Sequence, residues 1–341
     1  MIYSHTYTSE IFQKSDCINI ELAVAEILRK ILEISQYTAL DEQKFIYRKN
    51  NTTVYLALVD SVEHLNYNNN EAFLDSFTKD DLIITDNFLH HPCKARIVHL
   101  PHSWFGIYSY SQQKTASTPD CHYSFKSRRV DSTRLEIFLE LLTNTHTQSS
   151  YTSFDCADHR DFSSINDKIQ NLDNAWQELP VILQQKYETQ YYNLKTNIPW
   201  NNHPQIDIDK AMQKSLCNVV IETYSSDHVT ALSEKTFRAL VTPRLWTLFA
   251  GYKSIGFLQQ LGFDVLDDIV LHNLYDSLTR EQNKISVFAH ASLDTATKNN
   301  WDDVKHRCQQ AAMHNQKLLQ QYRAQWACDF SKWLKDLSSI L

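Results

Sequence analysis

Glu234 and Lys235 stand side by side in the segment ALSEKTFRAL (231–240), where the sequence predicts that a helix begins. Ser233 precedes them and is the expected N-cap, since serine is a preferred residue at that position. A helix N-terminus carries about half a positive charge, which favours Glu234 in the first turn and disfavours Lys235. A lysine gains a role there if an anion binds in front of the helix. The alternative is an ordinary surface, with Glu234 paired to Arg238 at i,i+4 and Lys235 in solvent.

A glutamate and three arginines occupy comparable places in the same half of the chain. Glu222 ends the apolar run LCNVVIE (216–222), and ligands of open α/β sheets bind beyond the carboxyl ends of the strands. Arg128 and Arg129 follow another predicted strand, and Arg134 lies at the start of the next predicted helix. Guanidinium groups around a helix start can hold a diphosphate without a glycine loop. The two helix starts together suit a nucleoside-diphosphate donor, whereas the alternative for the arginines is a solvated basic turn.

Glycine is scarce, with four residues in 341, so neither a GxGxxG motif nor a Walker-type loop exists. This excludes classical dehydrogenases and P-loop NTPases. The net charge of -7 argues against a general nucleic-acid binder. With 43% hydrophobic and 21% charged residues, the composition is that of a soluble globular protein.

Seven cysteines, an odd number and never spaced as CxxC, favour reduced thiols over a disulfide framework or a zinc ribbon. No apolar run reaches the roughly 18 residues that span a bilayer. The first residues, MIYSHTYTSEIF, lack the basic and apolar regions of a signal peptide. We therefore expect a cytoplasmic protein without a transmembrane segment.

Alternating helical and strand patterns predict parallel sheets with crossover helices. In the first part of the chain the patterns predict a helix at 18–34, strands at 53–60, 81–86 and 95–101, and a linker at 109–120. In the second part they predict strands at 121–125, 216–222 and 245–251. They predict helices at 133–142, with a capping box of Thr133 and Glu136, at 233–241, and at 254–262, closed by Gly262. A further helix is predicted near 175–194, interrupted or beginning at Pro180, and one long or two short helices at 301–337.

The stretch from LCNVVIE to LGFDV (216–265) resembles the donor-binding region of fucosyltransferase-like glycosyltransferases, the α1,3-fucosyltransferase family with its bacterial, phage and viral relatives. In that family a strand ends in Glu, a variable loop follows, and a Thr-Glu-Lys motif opens a helix; here Ser233 replaces the threonine. SRRVDSTRLEIFLELL is similar to the family's arginine-containing segment, and LQQLGFDVLDD with NLYDSLTREQNKI to its continuation. The resemblance covers roughly 121–285, apart from 143–215.

The resemblance implies an inverting glycosyltransferase that moves a sugar from a nucleotide-diphosphate donor to a glycan or glycoconjugate acceptor. GDP-fucose is the simplest donor, and no metal is obligatory. Lys235 and Arg134 would bind the donor diphosphate, while Glu222 and Glu234 would lie near its ribose or sugar. The expected donor-binding residues are Arg128, Arg129, Arg134, Glu222, Glu234, Lys235 and Arg238.

An inverting transfer also needs a base that takes the proton of the acceptor hydroxyl, and cations that stabilise the departing diphosphate. The candidate catalytic residues are Glu222 and Asp86, which ends the run DLIITD (81–86). An aspartate that only caps a loop explains Asp86 equally well. Glu63 and His102 are further candidates for the base.

Several histidines gather in FLHHPCKARIVHLPHSW (88–104), but their spacing is not that of a zinc site. We interpret them as loop and strand-end residues and predict no metal centre.

The fold implied by the resemblance is α/β and GT-B-like, with two Rossmann-like domains facing across a cleft and additional C-terminal helices. The expected boundaries are 1–115 for the acceptor-side domain, 116–290 for the donor-binding domain and 291–341 for the helical extension. The extension is predicted to pack back on the domains or to form an oligomer contact, rather than to lie on a membrane.

One segment, VTPRLWTLFAGYKS (241–254), departs from the family's small, Gly/Pro-rich stretch by carrying Arg244 and Trp246. Because this stretch lies close to the donor in the family, the donor sugar stays open. Two alternatives also remain: a GT-B-fold binding or assembly protein that has lost transfer, and a different α/β protein such as a nucleotide-binding regulator.

Overall fold

The chain is described here from a computed structural model. The structure describes residues 38–41, 44–49, 52–57, 75, 77–85, 88–89, 93–99, 117–144, 150–157, 164–198, 200–201, 208–222, 229–230, 232–279 and 282–340. The predicted helix at 18–34 and most of the predicted linker at 109–120 lie outside these ranges.

A first sheet of five strands has the order β1-β2-β3-β4-β6. Its strands are β1 (Thr38–Asp41), β2 (Lys44–Lys49), β3 (Thr52–Ala57), β4 (Leu82–Thr85) and β6 (Arg96–His99). The first three strands pair antiparallel, and β3, β4 and β6 pair parallel. The three predicted strands of this region are thus confirmed as parallel neighbours.

A second sheet has the order β12-β10-β7-β8-β9. Its strands are β7 (Cys121–Arg129), β8 (Ser150–Ala157), β9 (Trp200–Asn201), β10 (Ser215–Ile221) and β12 (Leu245–Phe249). The first four in this order run parallel, and β9 pairs antiparallel at the edge. The predicted end of β7 was wrong: Arg128 and Arg129 belong to the strand because its pairing with β8 continues to Arg129, beyond the end of its pairing with β10 at Phe125.

Eight helices and one 3-10 turn (His272–Leu274) occur in the described part of the chain. The helices are α1 (Ser132–Asn144), α2 (Ile165–Gln177), α3 (Val181–Thr196), α4 (Ile208–Lys214), α5 (Glu234–Val241), α6 (Ser254–Gln260), α7 (Lys284–Lys298) and α8 (Trp301–Ile340). The predicted break at Pro180 is confirmed, since α3 starts directly after it. Gly262 ends α6 with a φ of +86°, as predicted, and the tail forms one long helix.

The order of the second sheet contains a topological switch. From β7 the chain crosses through α1 to β8 on one side, whereas from β10 it crosses through α5 to β12 on the other side. Because crossovers of parallel strands are right-handed, the two helices belong on opposite faces of the sheet. Such a switch opens a crevice at the carboxyl ends of its two central strands, here β7 and β10. The described fold is therefore α/β with a four-stranded parallel sheet, compatible with a Rossmann-like fold.

Aromatic side chains join the sheet to the helices on one face. Phe125 of β7 stacks on Phe138 of α1 at 5.2 Å between ring centroids, and Phe138 stacks on Phe154 of β8 at 4.7 Å. Phe249 of β12 meets Phe288 of α7 edge to face at 5.3 Å. These rings are fully or almost fully buried, and burial of each contributes about 1.5–3 kcal/mol.

A short ladder connects the two halves of the chain. Strand β5 (Phe88–Leu89) pairs antiparallel with β11 (Val229–Thr230). β5 follows the carboxyl end of β4, and β11 lies between β10 and α5. The loop regions beyond the carboxyl ends of two parallel strands, one from each sheet, are therefore hydrogen-bonded together.

None of the helices in the described ranges combines the length and apolar character that a membrane crossing requires.

Arg244 is buried at the amino end of β12, where it holds three distant segments together. Its Nη2 donates to the main-chain oxygen of Ser117 at 2.7 Å and to that of Gln213, and its guanidinium lies 4.3 Å over the ring of Trp301. Burial lowers the pKa of Arg244 to about 10. Trp246 is buried beside His272. Arg244 thus lies at the end of the sheet opposite to the switch crevice, where its hydrogen bond to Ser117 fixes the segment before β7.

We expect Arg244→Ala to lower the free energy of unfolding by about 3 kcal/mol, because buried main-chain oxygens lose their donors. Arg307→Ala is the matched control: Arg307 pairs with Asp264 and Asp268 while partly exposed, so its loss should cost about 1 kcal/mol. Urea unfolding measures both values. Equal losses in the two variants would contradict the structural role of Arg244.

Candidate functional site

The switch crevice is bordered by the starts of α1 and α5. Glu222 directly follows β10, and its N–H donates to the main-chain oxygen of Phe249 at 2.9 Å. The loop after β7 has two residues before α1 begins at Ser132. Since both helices follow parallel strands, their N-termini and positive dipole ends meet at the same edge of the sheet.

Asp131 caps α1. Its Oδ1 accepts the N–H of Arg134 at 2.8 Å, the bond that an N-cap side chain makes to the third helical residue. The predicted capping box of Thr133 and Glu136 was therefore wrong, because the capping residue is Asp131 and Thr133 lies within the first turn. Arg134 is 6% exposed; its Nη1 pairs with the carboxylate of Asp131 and its Nη2 donates to the main-chain oxygen of Glu222 at 3.1 Å.

The Glu222 carboxylate is 2% exposed and turns toward the start of α5. Oε1 accepts the N–H of Ser233 at 2.9 Å and the hydroxyl of Thr236. Oε2 accepts the hydroxyl of Ser233 at 2.6 Å. Three donors from the first turn of α5 therefore surround this carboxylate.

Ser233 is the N-cap of α5, as the sequence predicts. Its Oγ accepts the N–H of Lys235 at 3.3 Å, while its own hydroxyl proton is directed to Glu222. The N-cap hydroxyl thus donates to the Glu222 carboxylate, and Lys235 occupies the second helical position.

Lys235 lies among charges of both signs. Burial is the main cause that lowers its pKa, and the guanidinium groups of Arg134 and Arg129 lower it further. Glu222 and Glu234 act in the opposite direction. The Lys235 ammonium is partly removed from solvent and lies near two guanidinium groups, an environment that a bound anion would stabilise.

The structure thus brings together five of the predicted site residues, Arg129, Arg134, Glu222, Glu234 and Lys235. Glu234 is exposed in the first turn of α5. Arg238 lies one turn further along, in the last turn of α5, and its main-chain oxygen accepts the hydroxyl of Thr242 at 2.7 Å. The remaining predicted residues lie outside the described parts of the chain: the side chain of Arg128, and the whole of Asp86, Glu63 and His102.

Sequence reasoning missed three residues at this edge. Asp131 and Thr236 were identifiable, since an Asp before a predicted helix is an N-cap signal and Thr236 lies three residues after the cap. Lys284, at the start of α7, gave no signal because α7 was not predicted. Its ammonium is 3% exposed and donates to the main-chain oxygen of Ala250 at 3.0 Å, beyond the end of β12.

Three non-glycine residues with left-handed backbone also lie at or near this end of the sheet: Cys156 (φ 57°), Lys253 (φ 55°) and Asn283 (φ 59°). Cys156 is next to last in β8, Lys253 precedes α6 and Asn283 precedes α7. Such conformations persist only where the surroundings enforce them, and they concentrate at functional sites.

We expect Lys235→Met to raise the Tm at pH 7 by no more than a few degrees, since ~1 kcal/mol corresponds to roughly 2–4 °C in domains of 150–250 residues. The folded pKa of Lys235 is lowered, so the unfolded chain binds the extra proton between that pKa and the ordinary value of about 10.4. The penalty on the charged form is therefore present below the lowered pKa and disappears as the pH rises through this window.

Calorimetry from pH 7 to 11 measures the difference between wild type and variant, which should shrink toward high pH. The exposed Lys298, which pairs with Asp294 on α7, provides the control substitution Lys298→Met. A Tm gain that is independent of pH would contradict the assignment.

Comparison of this chain with protein-family models, curated proteins and solved structures finds no match.

Proposed function

We propose that the protein is an inverting glycosyltransferase that binds the diphosphate of a nucleotide-sugar donor at the switch crevice between β7 and β10. The observation that carries this proposal is the convergence of Arg129, Arg134 and Lys235 on the starts of two helices. The sequence motifs that resemble fucosyltransferases supply these same residues, which makes GDP-fucose the first donor to test.

The local chemistry supports an anionic ligand. Two helix N-termini and three cationic side chains lie at one edge of the sheet. The two carboxylates there are already engaged by the protein, that of Asp131 by Arg134 and that of Glu222 by Ser233. A diphosphate presents several acceptor oxygens, which suits guanidinium groups and the positive end of a helix dipole. With four glycines in the chain, side chains rather than a glycine-rich loop would hold it.

The β5–β11 ladder supports a cleft between two Rossmann-like halves, as in the GT-B arrangement. It joins the segment after β4 to the segment between Glu222 and Ser233, so an acceptor bound by the N-terminal half would lie near the donor edge. The proposed domain boundaries are 1–115, 116–290 and 291–341. α8 begins in the last of these and contacts α5.

In the proposed reaction the acceptor hydroxyl oxygen attacks the anomeric carbon while the bond from that carbon to the diphosphate oxygen breaks. A base takes the hydroxyl proton, and the nucleoside diphosphate departs with the bonding electron pair. Lys235 with Arg134 and Arg129 would stabilise the charge that develops on the leaving diphosphate. Asp86, after β4, is the candidate for the base from the N-terminal half.

A second candidate function is a binding module of the same fold that lacks transfer. The observation that favours it is the engagement of Glu222, whose carboxylate already accepts three hydrogen bonds from α5. A carboxylate held in this way is poorly placed to act as a base, so transfer depends on another residue.

The test is thermal unfolding of wild type and Lys235→Ala with GDP, UDP, ADP and CDP. We expect one nucleotide to stabilise the wild type, by about 2.7 kcal/mol at a concentration of 100 times its Kd, and to lose most of this effect in Lys235→Ala. Lys298→Ala, which changes an exposed lysine, should respond like the wild type.

The outcome that contradicts the proposal is the absence of stabilisation by any of the four nucleotides. If one nucleotide stabilises the protein, its sugar derivatives are then incubated with glycan acceptors and followed by mass spectrometry. Transfer supports the glycosyltransferase, and binding without transfer supports the binding module.

A further inference from the structure

Glu222 connects the two cationic helix starts through different parts of one residue. Its main-chain oxygen accepts a hydrogen bond from Arg134 of α1 at 3.1 Å. Its carboxylate accepts the N–H and the hydroxyl of Ser233, at 2.9 and 2.6 Å, and the hydroxyl of Thr236. The distance between Arg134 and the N-terminus of α5 is therefore set by the backbone and side chain of a single residue.

We infer that Glu222 is a positioning residue, which fixes the start of α5 relative to Arg134 so that both can engage one diphosphate, rather than a group that touches donor or acceptor. This inference rests on the proposed function for the identity of the ligand. It replaces the roles that the family resemblance suggests for Glu222, those of base and of contact to the donor's ribose or sugar.

Burial supports this role. The Glu222 side chain is 2% exposed, and both of its carboxylate oxygens are occupied by donors of the protein. A general base must come within hydrogen-bond distance of the acceptor hydroxyl, which a carboxylate directed into the first turn of a helix cannot do without releasing that turn. A carboxylate behind the helix start instead satisfies N–H and hydroxyl donors and is favoured by the helix dipole.

The same contacts determine how Ser233 acts as the cap. Its hydroxyl proton is directed to Glu222, which leaves its oxygen to accept the N–H of Lys235. This arrangement determines the direction of the next N–H groups in the first turn and of the Lys235 side chain. Loss of Glu222 would release both Ser233 and Thr236, so the effect on Lys235 would be indirect.

Substitutions of Glu222 and of its hydrogen-bond partners distinguish a role in positioning α5 from a direct effect of the Glu222 charge. In Glu222→Gln the amide oxygen can accept from Ser233 and Thr236, and the amide nitrogen can donate to the Ser233 hydroxyl after that hydroxyl rotates. In Glu222→Ala all of these contacts are lost. The double variant Ser233→Ala/Thr236→Val removes the hydroxyl partners but leaves Glu222 itself in place.

The experiment measures the Kd of pyrophosphate, and of any nucleoside diphosphate that stabilises the wild type, by calorimetry. We expect Glu222→Ala and the double variant each to weaken binding at least about tenfold, and Glu222→Gln to remain within about threefold of the wild type. Glu140→Gln is the matched control, since Glu140 is also 2% exposed and hydrogen-bonded, to Lys186 and Tyr187, but lies in the second half of α1. Its affinity should equal that of the wild type.

A second readout needs no ligand. NMR titration of the labelled lysine ammonium groups follows Lys235 in the free protein. If Glu222 positions α5, the Lys235 titration moves toward the ordinary pKa of about 10.4 in the double variant, which keeps the charge of Glu222, because the ammonium is released into solvent. In Glu222→Gln the pKa of Lys235 falls further, because the charge of Glu222 raises it, and in Glu140→Gln it is unchanged.

The outcomes separate the two proposals. If the wild type binds none of the probes, the proposed function fails, while the Lys235 titration still decides whether Glu222 holds the helix start. If Glu222→Gln loses as much affinity as Glu222→Ala while the double variant binds normally, the charge of Glu222 acts on the ligand directly and the positioning role is overturned. A Lys235 titration that is unaltered in the double variant overturns it equally.

Discussion

Strands β7 and β10 are parallel neighbours whose crossovers leave in opposite directions, and the arrangement of the candidate site depends on this pairing. Parallel strands end at the same edge, so the helices that follow them begin there too. Their dipoles add positive potential where Arg134 and Lys235 already carry full charges. A sheet in which β10 ran antiparallel to β7 would place the Lys235 helix start at the opposite edge.

The concentrated positive charge at this edge is compensated by acidic side chains that lie nearby. Asp131 pairs with Arg134, Glu222 lies behind the cap of α5, and Glu234 remains exposed beside Lys235. Glu222 and Glu234 raise the pKa of Lys235, whereas burial is the main cause that lowers it. These acidic groups therefore allow the cations to lie at this edge without a bound ligand.

Features that follow from local rules could be predicted from the sequence. Ser233 as a cap, Glu222 at a strand end and the break at Pro180 each depend on a few neighbouring residues. The end of β7 could not be predicted in this way, because SFKSRR is polar and its last residues form a strand only through pairing with β8. β8 and α7 were missed for a related reason: their buried positions include serine and threonine, which weakens the apolar pattern. The contacts of Glu222 depend on side-chain direction, which spacing does not encode.

The contacts of Arg244 have a consequence for the order of folding. Its guanidinium joins the main-chain oxygen of Ser117, 127 residues away in sequence, to that of Gln213 and to the ring of Trp301. Contacts that close such long loops form only after the intervening chain has become compact. This buried cation therefore belongs to the late stages of folding, and it affects the lifetime of the native state more than the speed at which that state is reached.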